Sequence, residues 1–285
     1  PTRRSSDLQF YDDTIKSSQR SNDSFTGKLA RRMADDSELA VKWISERANV
    51  ALPDVGQLGG HSAPRTHRPR SGLAGAAFIS GLEKAVMKYE KSGQLLVLRE
   101  SRLENMIPFD PSCAEKADTC STSKPVPWWG LVLQQERKGQ TLVVKVPGVI
   151  LATGGFANDK GPGSLLRKVA PDLEVLGSTN GNFATGDGIK VGMSVGAKTV
   201  DLDMVQVHPT GFSDAPKGFV DEGPARSLVL CAEIIRGEGG VILDKNGERF
   251  VDELDTRKRV TAAMKERGRG GGTRGYGKFV IAIPP

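Results

Sequence analysis

Between residues 9 and 49, apolar side chains recur at near-helical spacing. Phe10, Tyr11 and Ile15 lead, and Leu29, Met33, Leu39, Val41, Trp43 and Ile44 follow, with polar residues between them. A period near 3.6 predicts amphipathic helix over this stretch. The same spacing returns from Ala76 to Tyr89 through Phe78, Ile79, Leu82, Val86 and Met87. Residues 56–75, between the two, are rich in Gly, Pro and Arg and read as loop. Leu95–Leu98 is a short apolar run and a strand candidate. Trp128–Leu133 and Thr141–Val146 predict a hairpin turning at Arg137–Gln140. Val149–Thr153, running straight into Gly154 and Gly155, predicts a buried strand. Thr185–Gly188 opens a predicted helix carrying Ile189, Val191, Met193 and Val195. Beyond Val200, short strands and turns alternate to Phe250, and a helix is predicted over Thr256–Met264. Strands interleaved with helices predict an α/β fold.

Composition narrows the possibilities without naming a function. A length of 285 residues favours two domains, and 38% hydrophobic residues suffice to close a core. The net charge of +6 is mild and fits an anionic ligand as readily as nucleic acid. The apolar runs, such as Val146–Ala152, fall far short of the roughly 20 residues that a membrane-spanning helix needs. Cys113, Cys120 and Cys231 are odd in number and match neither a disulfide framework nor a CxxC metal site, so a reducing compartment is expected. His61, His67 and His208 complete no zinc set with them, and no metal is expected. The compartment itself is left open. Pro108–Pro127 reads as an exposed insertion, and Arg267–Gly277 as a low-complexity Arg/Gly run. The chain starts at Pro1 with no signal pattern behind it, and truncation is the expectation.

Several local patterns carry chemistry. The small residues Ala152, Thr153, Gly154 and Gly155 after a predicted strand let a flat ligand or another backbone approach closely. The run Ser178–Gly188 sets glycines before a helix, where free N–H groups can meet phosphate or hydroxyl oxygens and Asp187 can accept from a sugar hydroxyl. An ordinary capped helix start has the same composition. His208, in Gln206–Gly211, is either a structural histidine or a ligand-binding one. Glu233 and Arg236 stand three apart, which on a helical turn puts them on one face as a pair. Arg257 on its own reads as a helix-start arginine.

Taken in order, these segments are a stronger signal than any one of them. QLGGHSAPRTHR (57–68), VILATGGFAND (149–159), STNGNFATGDGIKVGMSVGAKTVDLDMVQVHPTGF (178–212) and AEIIRGEGGVILDKNGERFVDELDTR (232–257) resemble the flavoprotein family of fumarate reductases and succinate dehydrogenases. The likeness extends over most of residues 9–265, and is strongest to soluble single-chain fumarate reductases of yeasts and trypanosomatids and to the flavin part of bacterial flavocytochromes c. It implies FAD as cofactor and hydride transfer from flavin N5 to the double bond of fumarate, giving succinate. By the same resemblance Arg257 is the proton donor, Glu233 and Arg236 relay protons to it, and His208 holds a substrate carboxylate. Asp187 and the backbone of Leu103 match FAD contacts, and Ala152, Thr153 and Gly154 lie where the adenine half packs.

The chain also departs from the family pattern. Ala232 stands where many relatives carry Thr. The N-terminal Gly-rich phosphate loop has no counterpart, nor do the later segments that supply a second substrate histidine and arginine. Gly270, Gly272 and Gly275 match G-x-G-x-x-G, but they follow no strand and open no helix, so the match is rejected. The expected architecture is therefore an incomplete Rossmann-like FAD-binding domain over residues 1–202 and the start of a capping domain over 203–285, a fragment expected to be inactive by itself. The electron donor is left open. Two other readings stand beside this one. The first is reduction of another unsaturated acid such as urocanate. The second is a non-enzymatic RNA binder using the Arg/Gly run. The mild charge and 6% aromatic content argue against the RNA binder, so no nucleic-acid partner is expected.

Overall fold

The computed structural model describes residues 3–18, 24–109, 128–135, 137–212, 228–268 and 279–283. The chain falls into two compact units, Pro1–Leu96 with Gln206–Val220 and Val229–Pro285, and Val97–Val205 with Asp221–Leu228.

The first unit opens with the predicted helical stretch, which forms two helices, α1 (Arg3–Ser18) and α2 (Ser24–Ala48). Small residues set how closely they pack. Ala30, Ala34 and Ala48 of α2 are buried, and the Arg31 guanidinium lies over the Tyr11 ring of α1 at 4.4 Å. The third helix, α3 (Ala74–Lys91), meets the end of α2 at Gly81, where a Cβ would stand 2.0 Å from the Ala48 carbonyl oxygen. Only glycine permits that approach. Between α2 and α3, β1 (Asp54–Gly56) pairs antiparallel with β2 (Thr66–Arg68), so the Gly/Pro/Arg-rich segment is a hairpin loop over residues 57–65.

The rest of this unit is short elements: β6 (Gly211–Phe212) with β7 (Val229–Leu230), α6 (Ile234–Gly237), β8 (Val241–Leu243) with β9 (Val280–Ala282), and α7 (Arg257–Gly268). Ile242, Val260 and Cys231 are fully buried at its centre. Arg267 ties the end of α7 to the turn after β8, donating to Asp244 at 3.0 Å and Glu248 at 2.7 Å.

The second unit contains an antiparallel three-stranded meander, β3 (Ser101–Phe109), β4 (Trp128–Gln135) and β5 (Gln140–Val146), which includes the predicted hairpin. It also holds α4 (Leu165–Val169), a 3-10 turn at Pro171–Leu173, and α5 (Asp187–Ser194), which packs beside β3. Two strand expectations fail here. Leu95–Leu98 pairs with no described strand, and the ladder begins at Ser101 instead, after a turn with Glu100 at φ 54°. Val149–Thr153 forms no strand either, and Ile150 is 95% exposed. An apolar run becomes a strand only beside another strand that takes its N–H and C=O groups, and no described strand flanks this one.

Cys113 and Cys120, most of the expected insertion and most of the Arg/Gly run lie outside the described residues. Among the described residues, no helix is long and apolar enough to cross a membrane.

Candidate active site

The hairpin loop 57–65 brings its backbone against the turn that carries Glu233 and Arg236, and glycine makes the approach possible on both sides. A Cβ on Gly59 would meet Glu233 Oε1 at 2.7 Å and the Asp255 carbonyl at 2.8 Å, and one on Gly237 would meet the Gln57 carbonyl at 2.2 Å. The Gly59 N–H donates to Glu233 Oε1 at 3.0 Å, and the Gly60 N–H to the Leu254 carbonyl at 2.7 Å. Gly60 adopts φ +77°, the left-handed region that glycine reaches freely. Asp13 of α1 secures the far side of the loop, accepting from the Ser62 N–H at 2.8 Å, the Ser62 hydroxyl at 2.9 Å and the Arg65 guanidinium. Burial works to raise the Asp13 carboxyl, but the bonds from Ser62 and Arg65 outweigh it and hold the group below its ordinary value.

Glu233 is the hub. Its side chain is buried, and its Oε2 accepts from Arg257 Nε at 2.8 Å and Nη2 at 2.6 Å. Arg257, the first residue of α7, is 37% exposed, and its Nη1 donates to Gln206 Oε1 at 3.1 Å. On the other side, Arg236 Nη2 lies 3.5 Å from Glu233 Oε1, beyond normal hydrogen-bond length. Arg236 is completely buried, and its Nη1 donates to the Glu253 carbonyl at 2.6 Å. Among the described residues, its Nε and Nη2 have no hydrogen-bond partner. Burial pushes the Arg236 guanidinium below its ordinary value, Glu233 opposes that shift, and Arg257 adds to it.

His208 completes the cluster, with Nε2 3.9 Å from Glu233 Oε2. Its Nδ1 lies 2.9 Å from the Thr210 carbonyl and 3.3 Å from the Thr210 N–H. One proton cannot serve both contacts. The shorter contact makes Nδ1 the donor to the Thr210 carbonyl, so neutral His208 presents Nε2 as an acceptor and donates from Nε2 to a carboxylate only when protonated. Burial lowers the His208 pKa from its ordinary value, against the Thr210 bond and Glu233, with Arg257 and Arg236 reinforcing the shift. Buried Cys231 has its thiol pushed up by burial, and its carbonyl accepts from the Thr210 hydroxyl at 3.0 Å. The guanidinium groups of Arg257 and Arg236 against the carboxylate of Glu233 leave a surplus of positive charge suited to an anionic substrate.

The remaining predicted site residues belong to the second unit. Thr153 Oγ1 accepts from the Gly188 N–H at 3.2 Å, and the Gly155 carbonyl accepts from the Gly186 N–H at 3.0 Å. These bonds lace the Thr153–Gly155 turn to the start of α5. A Cβ on Gly188 would stand 2.2 Å from Thr153 Oγ1. Ala152, Thr153, Gly154 and Gly155 are all exposed, and nothing lies within 4 Å of a Cβ built on Gly154 or Gly155. They form a shelf of small residues beside a helix N-terminus, open to a planar ring. Asp187 Oδ1 accepts from the Thr185 hydroxyl at 2.7 Å, which leaves the other carboxylate oxygen for a sugar hydroxyl. Leu103 sits on β3 opposite Leu133, just before a bulge in the ladder.

Glu233, Arg236, Arg257 and His208 therefore meet in one unit, while Ala152, Thr153, Gly154, Asp187 and Leu103 fall in the other. Sequence reasoning did not single out Gly59, Gln206 or Glu253. All three lie inside the motifs quoted above, but their roles rest on backbone contacts and long-range bonds that carry no residue signature.

The family model described as an FAD binding domain matches residues 2–282. Fumarate reductase 1 of Saccharomyces cerevisiae is 34% identical over 259 residues, 90% of this chain and 50% of the yeast protein. The fumarate reductase of Schizosaccharomyces pombe is 35% identical over 258 residues, 90% of this chain and 46% of that protein. The chain spans about half the length of these curated relatives. Among solved structures, the open conformation of a flavocytochrome c3 fumarate reductase superposes with a TM-score of 0.63 at 28% identity, covering 90% of this chain and 39% of that one.

Proposed function

The chain belongs to the FAD-binding domain family, and from that premise we propose that it serves an FAD-dependent reductase that converts fumarate to succinate. The observation that carries this reading is the Arg257–Glu233–Arg236 constellation, two arginines on the two oxygens of one buried carboxylate. FAD is the cofactor of the family, and the residues present fit it. The shelf Ala152–Gly154 would take its flat adenine half and Asp187 a ribose hydroxyl, with Leu103 offering backbone contact. Bound there, FAD supplies the hydride for one carbon of the substrate double bond.

The chain's own residues handle binding and protons. His208 holds a substrate carboxylate when Nε2 is protonated as well as Nδ1. Arg257 delivers a proton from its guanidinium to the second carbon, and the surrounding positive groups favour the charge that builds on the substrate. An arginine acts as an acid only if it recovers its proton quickly. Glu233 Oε2, already bonded to two Arg257 nitrogens, is the group placed to return it, and Arg236 resupplies Glu233. In this reading residues 1–202 serve the cofactor and 203–285 begin the capping domain that carries Arg257.

The test is fumarate-dependent oxidation of a reduced dye by the FAD-loaded complete enzyme that this chain serves, run beside urocanate and other unsaturated acids. Fumarate is expected to give the highest kcat/KM. A higher kcat/KM with urocanate would move the substrate assignment, and no turnover with any unsaturated acid would overturn the reading.

A further inference from the structure

We infer that Glu253 is a positioning residue of the proton relay, fixing the buried guanidinium of Arg236 where it can serve Glu233. The inference rests on the relay reading given above and adds to it a residue outside the Arg257–Glu233–Arg236 set.

The Arg236 guanidinium makes one hydrogen bond among the described residues, to the backbone carbonyl of Glu253 at 2.6 Å. Its distance of 3.5 Å from Glu233 Oε1 is too long for proton transfer, and its Nη2 is otherwise unpartnered. A shift of about 0.5 Å brings that pair to hydrogen-bond length. The Glu253 carbonyl therefore sets the resting position from which Arg236 reaches the relay carboxylate.

That carbonyl is itself held in place by the side chain of its own residue. The Glu253 carboxylate is 5% exposed. Its Oε1 accepts from the Ile242 N–H in β8 at 2.8 Å, and Arg249 closes on both oxygens, with Nη2 2.7 Å from Oε2. Arg249 is 57% exposed, so the chain of contacts runs from the surface through Glu253 to Arg236 and Glu233. A buried carboxylate that served only to pin β8 would need no tie to the site, yet its own backbone oxygen is the hydrogen-bond anchor of the relay guanidinium among the described residues.

The carboxylate also acts through its charge. The groups facing Arg236 are Glu233, Arg257, Cys231 and Glu253, and Glu253 is one of those that support the protonated guanidinium against burial. Removing its charge while keeping its shape lowers the proton affinity of Arg236 further. Resupply of Glu233 then fails at a lower pH than in the native enzyme.

The experiment compares Glu253→Gln with the native holoenzyme in fumarate reduction, with thermal unfolding as the check on folding and Arg257→Ala as the reference for the relay. The expected result for Glu253→Gln is a kcat lowered by between about tenfold and a hundredfold, a KM for fumarate within about twofold of native, and an alkaline limb of the kcat profile displaced to lower pH. A folded Glu253→Gln with native kcat and native alkaline limb, measured where Arg257→Ala is inactive, overturns the role of Glu253 and leaves the relay standing. A fumarate rate that survives Arg257→Ala overturns the relay itself. Should Glu253→Gln fail to fold, Arg249→Gln decides. It removes the clamp from the solvent side, and a reduced kcat at native KM, restored by Arg249→Lys, supports the inference. A native kcat in Arg249→Gln overturns it.

Discussion

Arg257 sends two of its nitrogens, Nε at 2.8 Å and Nη2 at 2.6 Å, to the same oxygen of Glu233. A side-on grip of this kind leaves Glu233 Oε1 for the Gly59 N–H and for the approach of Arg236. The carboxylate is thus shared between the arginine that faces the site and the one that is sealed off. Each oxygen has its own task.

Replacing Glu233 with Gln removes the carboxylate that, among the described residues, pairs with both arginines. Breaking a buried ion pair by removing one partner costs about 3–5 kcal/mol, and the low end applies because Arg257 is 37% exposed and regains water. Urea denaturation of Glu233→Gln should therefore show a loss of about 3 kcal/mol. A loss below about 1 kcal/mol would mean the cluster behaves as a surface pair.

Gly59→Ala tests the close approach of the loop. The new Cβ would lie 2.7 Å from Glu233 Oε1 and 2.8 Å from the Asp255 carbonyl, and the second of these is backbone. Overpacking of this sort costs about 1–3 kcal/mol. The proper control is Gly75→Ala in α3, where nothing lies within 4 Å and φ is not in the left-handed region. That substitution should be neutral or stabilise by about 0.4–1 kcal/mol. Equal melting temperatures for the two variants would remove the argument that Gly59 is needed for contact.

How much of this was legible in the chain itself depends on the range of the interaction. Helical periodicity placed Phe10–Ile15, Leu29–Ile44 and Phe78–Met87 on helices because the spacing is a local, repeating signal, even though Leu29, Met33, Leu39, Trp43, Ile79 and Val86 stay exposed. The Glu233–Arg236 spacing predicted a shared face, and the two are found on one helical turn. The strand expectation at Val149–Thr153 failed because pairing is not local: an apolar run of five residues needs a neighbour that the described residues do not supply. Gly59 and Glu253 stayed invisible for a related reason. Gly59 matters for the Cβ it lacks, and Glu253 for a backbone oxygen, and neither property leaves a pattern in residue types. The clamp of Asp13 on the loop spans 49 residues, beyond any local window.

The histidines make folding stability depend on pH, with a definite sign. Burial lowers the pKa of both His208 and His61 from the ordinary 6.5. The folded state therefore binds fewer protons than the unfolded chain once the pH falls below that value. Their contribution is fully present above pH 6.5 and declines as the pH drops toward the lowered folded values. Urea midpoints measured from about pH 7.5 down to about 5.5 should fall, and His208→Asn should flatten part of the slope. A midpoint that rises on acidification would show the histidines to be stabilised as cations instead.

Asp13 supplies the last prediction, because one of its oxygens secures the whole of the loop. Oδ2 takes the Ser62 N–H, the Ser62 hydroxyl and the Arg65 guanidinium, and Arg65 in turn lies over the Phe10 ring at 5.2 Å. Hydrogen bonds to a charged group contribute about 1.5–3 kcal/mol, so Asp13→Ala should cost an amount in that range. The more informative effect is local. Without the clamp, the segment Ser62–Arg65 opens while the Gly59–Glu233 bond stays in place, since the two anchors grip different parts of the loop. Hydrogen exchange should therefore speed at the Ser62 amide by a larger factor than at Gly59. Because the Asp13 carboxyl is held below its ordinary 3.8, the native loop keeps its clamp through mild acid and releases it only as the pH falls through that lowered value. Acidification through the histidine range should thus weaken the fold without accelerating Ser62. If Ser62 exchange instead accelerates in step with the histidine-linked loss of stability, the clamp is not an independent anchor and the loop opens only with the rest of its unit.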